Sequence, residues 1–407
     1  MTELGDAFAH RRSLGLGEAS LLGENPPSIA TVYRPVRGEP FEITKMSSIR
    51  WVRMSEALAR LGYRVDVLSD SSERPPLAHP GARIQPLQGA DWSRYDVVKT
   101  LFHKGFQTLA AGGGADHPLI ISKLGSVVGS VDDLPGVHFL GEERQELYDV
   151  QRAIARSSRY VAVLTEESRR LWEAEHANGA GPAGSGAPAG APDAAARDRR
   201  GPEVLFVPTG VDRDIPPPRA NPYAGWDGPV AVYIGNLYDT TQLHVNRLWQ
   251  DRLDALGGEL RRRGIRLCFV GPGLTDRLDP SRVTAVGPVP VDEVWDWQRF
   301  AAVGVVLAQG PLQHNESSKI YYYLRTGLPV VSEAPVPNND LLEACGLGTV
   351  VPYGDDRLLA DAVAEAAARR WDREAGIRYV LEHHTWEHRA AIYDRVIRRE
   401  LGLPEAA

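Results

Sequence analysis

The chain has 407 residues, 43% of them apolar, which is too long for one compact domain and enough for two ordinary cores. Its formal net charge of -7 excludes a nucleic-acid binder that works through basic patches. No apolar run reaches the ~20 residues of a membrane span, and the two cysteines, Cys268 and Cys345, lie inside apolar patterns, as small core residues rather than a disulfide or metal pair. The two arginines near the N-terminus have no apolar run behind them. The expected class is a soluble, cytoplasmic protein, with contact to a membrane surface left open.

Residues 1–28 read as weakly ordered. "IATVYRP" (29–35) reads as a strand, and "SSIRWVRMSEALARLG" as a helix with Ile49, Val52, Met54, Leu58 and Leu61 on one broad face. "YRVDVLSD" returns as a strand, and strand–helix–strand in quick succession is the pattern of a parallel sheet. "YDVVKTLF", "PLIISKLG", a helix near 141–157 and "RYVAVLTEES" continue it. Residues 177–202, rich in Gly, Ala and Pro, have almost nothing to bury and read as a mobile insertion. "EVLFVPTGVD" supplies the last strand of a first domain spanning 29–213, and prolines stiffen a linker at 214–228.

A second unit, 229–384, opens with "VAVYIGNL". The helix "LWQDRLDALGGELRRRG" and the strands "IRLCFVGPG", "VTAVGPV", "AVGVVLAQ" and "LPVVSE" follow. The end, 385–407, is a long amphipathic helix around "TWEHRAAIYDRVIRREL". The expected fold class is α/β, with two Rossmann-like doubly wound domains facing a cleft, where open sheets bind ligands beyond the carboxyl ends of their strands.

Strands of the second unit end in glycine at Gly235, at Gly271 and Gly273, and at Gly287, which lets a ligand approach the backbone. No GxGxxG or P-loop pattern accompanies them. The most informative stretch is "HNESSKIYYYLRTGLPVVSE" (314–333). Asn315 or Ser317 caps a short helix with Ile320, Tyr323 and Leu324 on its core side, closed by Gly327 and Pro329. Its first turn offers backbone N–H groups, the Ser317 and Ser318 hydroxyls, and the Lys319 ammonium, in kind a site for a diphosphate. A cation there opposes the helix dipole by about 1 kcal/mol or less, whereas a phosphate at ~4 Å returns about 4 kcal/mol before desolvation. An exposed pair of Lys319 with Glu316 is the alternative.

From "VAVYIGNL" through "TGLPVVSE", with "FVPTGVD" before the linker, the chain resembles the retaining, family 4 type glycosyltransferases of the GT-B fold (glycosyl transferases group 1). The likeness is nearest to the branch whose helix reads Lys-Leu-Tyr-Glu-Tyr-Leu before Gly-x-Pro-Val-Val. It covers about 203–355 well, and 29–175 only in its alternation and in "SEALARLGYRVDVLSD". The resemblance implies a donor nucleotide-sugar, a UDP-sugar foremost, on the second domain. It puts the acceptor (glycan, lipid-linked or small molecule) on the first and a final helix crossing back. It makes Lys319, Asn315, Ser317 and Ser318 donor-diphosphate ligands, Gly235 and Asn236 the loop beside the phosphates, Gly271 and Gly273 the edge of the nucleoside pocket, and Val286 and Gly287 the segment meeting the base.

The family's two glutamates eight positions apart fall here on His314 and Tyr322, so that Tyr322 takes a donor-side place and Glu316, two residues on from the first, is a substitute. The family's arginine and lysine after the first strand fall on Asn236 and about Thr241. His103, in "KTLFHKG", follows a strand where the family carries a histidine near the sugar. Catalytic roles are thus expected for Lys319, Glu316 and His103. Arg37, Gly38 and Lys45, in the loop "RPVRGEPFEITKMSS", and Glu333, Asn338 and Asn339, in "SEAPVPNND", are expected on the acceptor or sugar side. No cofactor and no metal are expected, on the reading that the chain lacks an Asp-x-Asp triplet or a His/Cys cluster. A non-catalytic nucleotide-sugar-binding subunit of a glycosylation complex, and an epimerase on the same fold, are the alternatives.

Overall fold

The computed structural model describes residues 25–34, 36–43, 45–129, 141–176, 201–237, 243–310 and 313–405. The expectations for the first 24 residues, for most of the 177–202 insertion and for Thr241 lie outside the described residues.

Among the described residues the first half builds an all-parallel sheet of β1 (Ser28–Val32), β2 (Arg64–Leu68), β3 (Ala82–Gln85), β4 (Val97–Leu101), β5 (Ile120–Lys123), β6 (Tyr160–Val163) and β7 (Glu203–Phe206). Their order is β3-β2-β1-β4-β5-β6-β7. Helices α1 (Met46–Arg60), α2 (Phe102–Ala111), α3 (Gly141–Ser157) and α4 (Glu166–His176) lie between them in the chain. The second half repeats the plan with β8 (Val230–Ile234), β9 (Arg266–Val270), β10 (Val283–Gly287), β11 (Val303–Val306), β12 (Val330–Glu333) and β13 (Gly348–Val351), ordered β10-β9-β8-β11-β12-β13. Strands such as β6 and β11 are buried throughout because helices cover both faces, which is why they read as unbroken apolar runs.

On one face of the second sheet, α5 (Leu243–Arg262) and α9 (Asp356–Ala368) bury Leu253, Leu256, Leu260, Leu359 and Val363. On the other, α6 (Val291–Arg299), α7 (Ser318–Arg325) and α10 (Arg373–His383) contribute Trp295, Ile320, Tyr323, Leu324 and Val380; the short α8 (Asp340–Cys345) adds Leu341 and Leu342. The last helix, α11 (Trp386–Leu401), leaves this half and completes the core of the first. There Trp386, Ala390, Tyr393 and Ile397 pack with Met54, Leu58 and Leu61, and the Tyr63 hydroxyl donates to Asp394 at 2.6 Å.

The chain therefore passes between the halves twice, and the two passages are bonded to each other. Val211 N–H donates to His384 O at 2.8 Å, and Trp386 N–H to Val211 O at 3.2 Å. The proline-rich stretch after 213 is packed rather than free: the Tyr223 hydroxyl donates to Trp297 O at 2.6 Å and its ring meets Trp226 and Trp297. No helix among the described residues is long and apolar enough to cross a membrane.

Candidate functional site

Strand order reverses between β1 and β4 in the first sheet and between β8 and β11 in the second. Loops leaving the strands at such a point go to opposite faces and leave a crevice beyond the strand ends. The residues singled out from the sequence sort around these two points.

In the second half, Gly235 ends β8 and Lys319 opens α7, and the structure brings them together. A Cβ on Gly235 would lie 3.0 Å from Lys319 Cε and 3.2 Å from Nζ. The ammonium stands over the Tyr233 ring at 4.6 Å and the Trp249 ring at 5.9 Å. The side chain is partly buried, and burial pushes its pKa down to about 8, so it stays largely protonated at pH 7. Among the described residues it has no ion pair and no hydrogen bond. The pairing with Glu316 does not form, because that carboxylate is turned elsewhere.

Glu316 Oε1 accepts from Thr209 N–H at 2.7 Å and from the Thr209 hydroxyl, and Oε2 accepts from the Tyr321 hydroxyl at 3.0 Å. Arg50 of α1 lies 3.8 Å away and donates to the Thr209 hydroxyl at 2.6 Å. Glu316 thus ties the second half to the passage between the halves. This differs from the catalytic role expected for it: its oxygens already have partners.

Gly271 and Gly273 are needed by the chain itself. Their φ angles are 148° and 119°, and a Cβ would lie 1.7 Å from Gly235 O and 1.3 Å from Leu237 O. Three hydrogen bonds join the strand ends: Gly235 N–H to Val270 O (3.0 Å), Leu237 N–H to Pro272 O (2.9 Å) and Gly271 N–H to Gly287 O (2.9 Å). The result is a floor of bare backbone running out to β10, the edge strand. Asn236 is partly exposed on that floor, while Val286 turns its side chain to the core and leaves its backbone at the edge.

Ser317 caps α7 without a side-chain cap bond. Instead Asn338 holds its backbone from both sides, accepting from Ser317 N–H at 2.8 Å and donating to Ser317 O at 3.0 Å. Ser318 and Lys319 keep the outward N–H groups of the first turn. Asn338 is therefore a brace for the helix start, not a free hydroxyl-binding group. Glu333 departs further from expectation. It is wholly buried, paired with Arg252 at 2.6 Å, and accepts from Ala308 N–H and Gly354 N–H at 2.9 and 3.0 Å. With both oxygens accepting hydrogen bonds and no exposure to solvent, this carboxylate braces the fold. Tyr322 is buried as well, stacked on Trp295 at 5.4 Å with its hydroxyl beside the Trp386 indole, so it does not face the donor side.

The segment just before α7 is gripped by the first half. His314 O accepts from the Thr165 hydroxyl at 2.6 Å, and Asn315 Nδ2 donates to the Ser126 hydroxyl at 2.8 Å. This places residues 313–317 across the crevice, beside the first turn of α7.

In the first half, His103 follows β4 as expected but is buried, with Nε2 3.1 Å from Gln151 Oε1. Burial lowers its pKa to about 4, which keeps it neutral. Phe102, just before it, has φ 60°, and the ring meets Tyr33 at 5.8 Å. Tyr33 and Phe41 both meet Trp51, at 5.6 and 5.5 Å. Gly38 and Lys45 are exposed in the same loop, and Arg37 lies 3.8 Å from Asp70 with its side chain 77% exposed. An Asp-x-Asp triplet, passed over in the sequence, does occur at Asp212-Arg213-Asp214. Asp212 is engaged with Arg53 at 3.0 Å.

Sequence reasoning missed Arg50, Thr209, Thr165, Ser126 and the aromatic group around Trp51. One signal was present: Arg50 lies four residues before Met54, on the inward stripe of α1, where an unpaired charge is not tolerated.

No family model matches the chain, and no curated protein matches it. Solved structures do. Sucrose-phosphate synthase from Thermosynechococcus elongatus is similar at a TM-score of 0.65 and 16% identity, over 93% of this chain and 100% of that one. α,α-Trehalose 6-phosphate synthase from Burkholderia multivorans follows at 0.59 and 11%, over 93% and 98%. Anabaena HepE, in complex with UDP, is similar at 0.56 and 12%, over 92% and 100%. At these identities the likeness carries the fold. The chain has the GT-B fold, two parallel α/β sheets facing a crevice, as do the glycosyltransferases among its structural neighbours.

Proposed function

We propose that the chain is a glycosyltransferase that moves a hexose-type sugar, with retention and without a metal ion, from a nucleoside-diphosphate sugar to an acceptor hydroxyl. The observation that carries this reading is the Lys319 ammonium, set against the bare backbone of Gly235 at the strand-order reversal and without an anionic partner among the described residues. A diphosphate at this turn meets the ammonium and the outward N–H groups of Ser318 and Lys319. Because the amine is already partly desolvated in the folded chain, it needs little reorganisation when charge develops on the leaving diphosphate. In the transfer the bond from the anomeric carbon to the diphosphate oxygen breaks with its electron pair on that oxygen. A bond to the acceptor oxygen forms, and the hydroxyl proton passes to the departing diphosphate or to water. A uridine nucleotide is the first donor to test, since HepE on the same fold holds UDP.

The acceptor is assigned to the first half, at the loop carrying Arg37, Gly38 and Lys45 and the aromatic rings behind it. One observation favours a second reading, a nucleotide-sugar-binding subunit without activity: Glu316, expected to be catalytic, is committed to Thr209. Calorimetry with UDP-sugars, followed by mass spectrometry of UDP release with crude acceptors, separates them. Binding with acceptor-dependent release supports the transferase. Binding alone supports the subunit, and no binding of any nucleotide sinks both.

A further inference from the structure

Lys319 starts on one face of the second sheet and ends on the other. Its helix, α7, packs Ile320 and Tyr323 into one core, whereas the rings its ammonium meets, Tyr233 of β8 and Trp249 of α5, belong to the core of the opposite face. The side chain reaches them over the end of β8. Tyr233 and Gly235, two residues apart, point to the same face of that strand. A Cβ on Gly235 would stand 3.0 Å from Lys319 Cε and 3.3 Å from Tyr233 Cε1, so the space of one missing side chain is taken by the lysine stem. The rings themselves are fixed: Tyr233 and Trp249 are both buried, and Tyr233 meets Phe269 at 6.2 Å.

A cation can be held by a carboxylate or by a ring face, with opposite consequences for an arriving anion. The chain holds Arg252 and Arg398 with carboxylates, at 2.6 and 2.8 Å from Glu333 and Asp394. A carboxylate cancels the charge, and a phosphate must compete with it. A ring face attracts the ammonium through its quadrupole and brings no anion, so the positive charge and the N–H donors away from the ring stay available to a ligand. A lysine also gives up rotamer freedom when a ligand fixes it; held over a ring, it has given up much of that freedom beforehand.

We propose that Tyr233 is the positioning residue for the Lys319 ammonium: its ring face aims the amine without neutralising it, and Trp249, at the longer distance, has the smaller share. The proposal rests on the diphosphate reading above. The test measures UDP binding to the full chain by calorimetry, with NMR titration for weak binding and for uridine. The proteins are native, Tyr233→Phe, Tyr233→Leu, Lys319→Ala and the Tyr233→Leu, Lys319→Ala double variant. Tyr233→Leu is expected to weaken UDP about fivefold to tenfold and uridine less than twofold, while Tyr233→Phe, which keeps the ring face, stays within about twofold of native. With Lys319 already Ala, the same Tyr233→Leu change is expected to move UDP less than twofold, because no ammonium is left to aim. Should Tyr233→Leu fail to fold, Tyr233→Phe made with increasingly fluorinated phenylalanine keeps the ring and withdraws electron density from its face; UDP affinity is then expected to fall in step with fluorination, by about threefold or more overall. Equal losses with and without Lys319 overturn the proposal, since that is the mark of a structural role. So do Tyr233→Leu or fluorinated variants that bind UDP as the native chain does, and a Tyr233→Phe variant as weak as Tyr233→Leu. If any of these occurs while Lys319→Ala still loses UDP, this inference falls and the diphosphate site stands. If the native chain binds no UDP, or Lys319→Ala binds it unchanged, the diphosphate reading falls with it.

Discussion

The two crevice points share one strand arrangement and are filled in opposite ways. At the β8/β11 reversal the chain ends in glycine, the floor is backbone, and one ammonium stands over it. At the β1/β4 reversal the space is occupied by rings, Tyr33, Phe41, Trp51 and Phe102, with a neutral histidine buried behind them. The first design exposes N–H groups and a charge, which suits an anion. The second offers ring faces and excludes water, which suits the body of a sugar or another weakly polar group. Phe102 is held at φ 60°, a conformation costing on the order of 1–2 kcal/mol, and Gly125 makes room for it: a Cβ there would lie 2.8 Å from the ring. Strain of this kind is retained where a side chain must be aimed.

The contrast can be broken by substitution. Gly273→Ala drives a methyl group into Leu237 O, and because the obstacle is backbone the floor cannot yield. We expect a loss above about 4 kcal/mol in urea denaturation; a loss under about 1 kcal/mol would show the floor to be pliable. Arg252→Ala strips the counter-charge from the wholly buried Glu333 and is expected to cost about 3–4 kcal/mol, with Glu333→Gln in the same chain recovering part of it.

The histidine of the first half gives a pH signature. Its folded pKa of about 4 lies below the unfolded value of 6.5, so the unfolded chain takes up the proton first as pH falls. Stability from His103 is therefore full above pH 6.5 and is lost on the way down to pH 4, by about 3 kcal/mol. His103→Gln should flatten that part of the stability–pH curve, and an unchanged slope would mean that the ring is not held neutral. Smallest is Arg37→Ala: at 77% exposure and 3.8 Å from Asp70 its loss should change stability by less than about 0.5 kcal/mol. A larger effect would show that the β1 loop is more tightly built than its exposure indicates.

The alternation of elements was legible because parallel strands covered on both faces leave continuous apolar runs, and because glycine at strand ends is a local signal. Lys319 stood out for a different reason: a lone cation in the first turn of a helix conflicts with local electrostatics, and the structure sets it beside Gly235. The roles of Glu316, Glu333 and Asn338 were not. Glu316 meets Thr209 from 107 positions away and Glu333 meets Arg252 from 81, and nothing in "HNESS" or "SEAPVPNND" encodes those partners. An acidic or amide side chain in a strand-end loop looks the same whether it faces a ligand or braces the fold. The glycines were read for ligand approach when their nearest demand was the neighbouring strand.

The central claim is that Lys319 stands where it does to meet a diphosphate. It is tested most directly by measuring UDP and uridine binding to the native chain and to Lys319→Ala, by calorimetry for UDP and by NMR titration for uridine. The account predicts a loss of about a hundredfold for UDP, near 2.7 kcal/mol, with uridine changed by less than threefold. Equal losses for the two ligands, or an unchanged UDP affinity, would contradict it.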